Sequence, residues 1–135
     1  MSIIKYFISY ILTAIVFFVI DMIWLGAIAK NMYRNYLGNF LSDQVNWVAA
    51  IIFYLLYIIG IQMLAVYPAV AKNSALTSLL LGAVFGFMAY ATYDLTNLAT
   101  LKNWPVTITI IDIIWGTCLT AVVSLAGYYV VDLVK

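Results

Sequence analysis

Four apolar runs, each long enough to cross a bilayer as a helix, take up most of this 135-residue chain. A spanning helix needs about 20 predominantly apolar residues. The runs cover about Ile3 to Ala29, Trp47 to Tyr67, Ser74 to Leu98 and Pro105 to Leu133. Charged residues make up only 8% of the chain and hydrophobic ones 67%, whereas a soluble domain carries about 25% charge. The pattern predicts an all-α integral membrane protein, a four-helix bundle forming one domain over residues 1–135.

The breaks between the runs set the expected topology. Lys5, an apolar stretch and Ala27-Ile28-Ala29 imitate a secretory signal. The run is too long for one and contains Asp21, so it is read as a retained first span. Lys30 to Asn46 is a polar connection, with Tyr33, Tyr36, Leu37, Phe40 and Leu41 apolar enough to let it lie in the interface. Pro68 is expected to close the second span. The short segment Ala69 to Asn73 makes spans two and three antiparallel neighbours, and Pro105 is a favoured first-turn residue for span four. Four spans place both termini on one side, with Lys5, Lys72 and Lys135, against Lys30, Arg34 and Lys102 on the other. That tie leaves orientation unspecified by basic-residue bias.

Several function classes drop out early. The chain has no His and no Glu, which removes imidazole general-base chemistry and His-ligated haem or metal. Cys118 is alone, so there is no dithiol pair or internal disulfide. A net charge of +1 gives nucleic-acid binding no electrostatic basis. Phosphate-binding glycine loops, nucleophile elbows and zinc spacings are absent, so no cofactor and no metal is expected.

What remains is three aspartates inside the spans: Asp21, Asp94 and Asp112. A charged group at mid-bilayer costs about 2.5 kcal/mol or more, which makes each one a candidate for function. At about 1.5 Å rise per residue, Asp21 lies about 12 Å, Asp112 about 10 Å and Asp94 about 6 Å inside the same face, the one bearing the first and third connections. Tyr54 in the second span falls at about 10 Å from that face. Residues four apart share a helix side, and three stripes lead to the acids: Ser9-Thr13-Phe17-Asp21, Gly82-Gly86-Tyr90-Asp94, and Asp112-Gly116-Thr120-Ser124. Small and polar stripes of this kind favour the bundle interior, and Gly82 with Gly86 allows close backbone approach.

The segments around two of the acids echo each other. Val19-Ile20-Asp21-Met22-Ile23-Trp24 matches Ile110-Ile111-Asp112-Ile113-Ile114-Trp115 as apolar-Ile-Asp-x-Ile-Trp. Each helix thereby offers a carboxylate and an indole on one face. Trp24, Trp115, Tyr54, Tyr57, Tyr90 and Asn97 are the expected pocket residues, and Asp94, Asp112 and Asp21 the candidate catalytic ones. Acids crowded in low dielectric cannot all ionise and would titrate as a coupled set.

FFVIDMIWLG, FYLLYIIGI, AYATYDLTNLATLKNWP and IDIIWG resemble the bacterial family of small membrane proteins termed domain of unknown function 2177. The resemblance implies a multi-pass protein of the bacterial inner membrane and carries no activity with it. Three readings follow from the acids. The first is binding or modification of a lipid-like amphiphile from the bilayer, with Asp94 and Asp112 as an acid and base pair. The second is proton- or cation-coupled transport of a small cationic solute, which needs a homodimer to form a pathway. The third is a structural or accessory membrane subunit.

Overall fold

The computed structural model describes all residues, Met1–Lys135, and is helical with no strands. Ser2 caps α1 (Ile3–Ile23), its Oγ accepting the Lys5 N–H. The helix then widens into a π-helical turn, Trp24–Ile28, in which the Ala29 N–H reaches the Trp24 carbonyl five residues back at 2.7 Å. Such turns are rare, and many mark functional sites. The chain bends at the buried Ala29 and doubles back as a short helix, α2 (Lys30–Leu37).

Asn46 caps α3 (Trp47–Ile61). A second π-helical turn, Gln62–Val66, joins it to α4 (Tyr67–Ala71), so the second span runs from Trp47 to Ala71. Pro68 therefore does not end this span, contrary to the expectation. It falls in the first turn after the π segment, where a missing N–H is tolerated. Asn73 takes a left-handed φ of 51°, a conformation asparagine accepts more readily than most residues. Ser74 then caps α5 (Ala75–Thr100), and Asn103, also left-handed, precedes α6 (Val106–Val134).

α6 is the axis of the bundle. It packs along α5 and α1 and touches the second span, and it carries the largest buried fraction of the four spans. The close pairing with α5 depends on glycines. A Cβ at Gly86 would run into the Gly116 carbonyl and the Thr120 side chain, and one at Gly82 into Ser124. The Ser9-Thr13-Phe17-Asp21 stripe accounts for every buried residue of α1. Gly82, Gly86 and Asp94 are buried on α5, and Gly116, Thr120 and Ser124 on α6. The outer surface is the reverse, with Ile15, Val19, Ile52, Leu56, Val84, Ile110 and Ile114 exposed. Apolar outside and polar within is the arrangement that lipid as solvent favours. This is a membrane protein with four helices long and apolar enough to span.

Candidate functional site

The antiparallel packing of α1 against α6 brings the two Asp-x-x-Trp segments together head to tail. Trp24 stacks on Trp115 with ring centroids 4.2 Å apart and planes 7° from parallel. Around this stack the partners cross over. The Trp115 side chain approaches the Asp21 carboxyl, while the Trp24 Nε1–H donates to Tyr33 Oη at 3.1 Å. Tyr33 in turn donates to Asp112 Oδ1 at 2.6 Å. The repeated segments thus cross over, with Trp115 beside the Asp21 carboxyl and Trp24 linked to Asp112 through Tyr33.

The other two spans complete the group. From α3, Tyr54 donates to Asp21 Oδ2 at 3.1 Å. From α5, Asp94 is 1% exposed and brings its carboxyl within hydrogen-bonding reach of Asp112. Apart from the neighbouring Asp112 carboxyl, no N–H or hydroxyl of the protein donates to its Oδ2. Buried polar atoms are almost always hydrogen-bonded, so each exception requires a physical reason.

These residues surround a cavity of about 730 Å³. Its 18 lining residues include Asp21, Asp94 and Asp112, and 13 of the 18 are hydrophobic. That size and makeup suit a small-molecule site, where apolar walls hold a ligand and a few polar groups orient it. The exposed side chains of Leu25, Leu41, Val45, Phe53 and Tyr93 contribute to the wall, so the cavity reaches the molecular surface. The carboxyls stand around the space and not around a point, and no three of them gather as ligands for one cation. Burial, and then the Asp112 carboxylate beside it, push the Tyr33 phenol well above its ordinary range, so it stays protonated and remains a donor.

The model of the family described as predicted membrane protein (DUF2177) matches residues 6–129. The chain belongs to this family. The match takes in the second and third spans whole, most of the first and fourth, and every residue of the cavity wall. No curated protein and no solved structure matches the chain. The DUF2177 description names no reaction, and the roles of these residues rest on their geometry.

In this DUF2177 chain, Asp21, Asp94, Asp112, Trp24, Tyr54, Tyr90 and Trp115 all line the one cavity. Two expected pocket residues do not. Tyr57 lies a turn deeper than Tyr54 and is buried in the apolar core, its hydroxyl 2.7 Å from Thr120 Oγ1. Asn97 lies a turn beyond Asp94 toward the helix exit, beside Tyr93, outside the cavity wall. The residue that sequence reasoning missed is Tyr33, together with Lys30 and Arg34. Its signal was available in Lys30, Tyr33, Arg34 and Leu37, at i, i+3, i+4 and i+7 on one face of a short helix.

Proposed function

We propose that the protein binds an amphiphile from the bilayer, with its polar head held over the acids and its apolar part against the aromatic wall. The observation that carries this reading is the composition of the cavity. Three carboxyls from the candidate spans and two hydrogen-bonding tyrosines line a largely hydrophobic space that reaches the surface. A bilayer protein gains nothing in stability from such a group alone, because each buried acid carries a desolvation cost. Asp94 and Asp112 lie side by side, and such a pair can take a proton from a head group or return one.

Purification in native lipid discs followed by lipid mass spectrometry tests this. A defined lipid species enriched over the bulk membrane is expected with the wild-type protein, and its loss is expected with Asp94→Asn and Asp112→Asn. Bulk-like lipid in all three preparations would refute the reading. So would pH-dependent solute flux in proteoliposomes that is abolished by the same substitutions, which would assign the acids to transport.

A further inference from the structure

The cavity carries two cations that nothing in the protein neutralises. Lys30 and Arg34 line it, and both are exposed. The only ion pair in the structure joins Lys135 to Asp132, at the far end of α6. Neither Lys30 nor Arg34 therefore has a carboxylate partner, although three acids line the same space.

Their placement is fixed at two points along α2. Tyr33 shares their face and is anchored on Asp112 at 2.6 Å. Leu37, a turn further along, packs with Trp104 and Ile108. The helix follows the end of the first span, and its two cations are exposed while the Tyr33 hydroxyl reaches Asp112. The two cations are exposed, the Tyr33 hydroxyl bridges Trp24 and Asp112, and Asp94 is buried, so the cavity wall passes from charged and exposed to acidic and buried. Asp94, 1% exposed, also lines the cavity, and its Oδ2 has no N–H or hydroxyl donor from the protein, only the Asp112 carboxyl beside it.

This order describes a ligand with an anion outside and a hydrogen-bond donor inside. We propose that the amphiphile is a lysophosphatidate-type lipid whose phosphate sits between Lys30 and Arg34. Its free glycerol hydroxyl, one step toward the acyl chain, donates to Asp94. The inference rests on the amphiphile reading above and gives it a chemical class. Phosphate offers oxygens to a guanidinium fork and to an ammonium at once. A fatty acid would present no inner donor and would leave Asp94 Oδ2 facing alkyl chain. A zwitterionic ethanolamine lipid carries its amine on the water side of the phosphate, which would set that amine beyond the two cations and away from the acids.

The test uses lysophosphatidate with a brominated acyl chain, a monoacylglycerol bearing the same chain, and quenching of tryptophan emission in detergent. Saturable quenching by the phosphate lipid is expected. It should be at least about tenfold weaker for the monoacylglycerol and for the K30Q/R34Q variant, and raised salt should weaken it for the wild-type protein. Equal saturable quenching by both lipids, indifferent to salt and to K30Q/R34Q, would overturn the phosphate assignment while leaving the amphiphile reading in place. Saturable quenching by neither lipid would defeat both. Displacement of the lipid by inorganic phosphate at matching concentration would reassign the basic pair to a free anion. If K30Q/R34Q does not purify as a monodisperse protein, the salt response and the single variant K30Q decide the question.

Discussion

Changing Tyr33 to Phe removes one oxygen and keeps the ring, so it isolates the bond that fastens α2 over the acids. That oxygen donates to Asp112 at 2.6 Å and accepts from Trp24 at 3.1 Å. A hydrogen bond to a charged group contributes about 1.5–3 kcal/mol, and one between neutral groups about 1 kcal/mol. Tyr33 is only partly buried, so a combined loss of about 2 kcal/mol is the reasonable figure after solvent screening. At 1.4 kcal/mol per factor of ten, that raises the undocked fraction of α2 about 30-fold. Hydrogen exchange by mass spectrometry in lipid discs reads this directly, as faster exchange of the α2 amides with unchanged protection in the middle of α5 and α6. Leu37→Ala is the comparison, because it removes the apolar anchor at the other end of the helix and is expected to open α2 by a similar factor. If Leu37→Ala speeds α2 exchange and Tyr33→Phe leaves it unaltered, the phenol does not hold the helix and the site geometry argued from it is wrong.

Other consequences are independent of that bond. Tyr33 has a raised phenol pKa when docked, so the docked form keeps its proton where the freed form loses it. The stabilisation is therefore complete below about pH 10 and declines as pH rises beyond that. A spectrophotometric titration of wild type minus Tyr33→Phe should show a phenolate transition above pH 10, and a difference transition at or below 10 would contradict the burial. Gly86→Ala should lower thermal stability in detergent by about 1–3 kcal/mol through overpacking against α6. Gly26→Ala, with nothing within 4 Å of the added methyl, should have no measurable effect. Asp94→Asn is expected to leave the melting temperature unchanged or higher, because an amide can donate to Asp112, while lipid enrichment is lost. A large fall in melting temperature would make Asp94 a structural residue.

The spans were legible because lipid imposes a crude requirement, about 20 apolar residues in a row, that composition alone can meet or fail. The stripes that lead to Asp21, Asp94 and Asp112 were legible because a helix repeats its face every three to four residues. Pro68 was misread because its effect depends on the hydrogen-bond pattern before it, and the π-helical turn Gln62–Val66 has no clear sequence mark. Tyr57 was misplaced by depth and not by face: it looks inward as Tyr54 does, but a turn lower, where Thr120 and apolar neighbours meet it. Tyr33 escaped because its position depends on a reversal at Ala29, and counting residues along a span says nothing of a segment that folds back. The echo of the two Asp-x-x-Trp segments was visible, but its meaning was not. Only antiparallel contact turns the repeat into stacked indoles, one beside Asp21 and the other linked to Asp112 through Tyr33.

Residue-level mapping of a photoactivatable fatty amphiphile on the protein in lipid discs tests the central claim most directly. Adducts on Trp24, Ala89, Tyr90 and Trp115, which line the cavity, are expected, along with their suppression by excess unlabelled lysophosphatidate. Adducts confined to outward-facing residues such as Ile110, Ile114 and Val122, unaffected by competitor, would show that lipid stays outside and that the acids serve some other purpose.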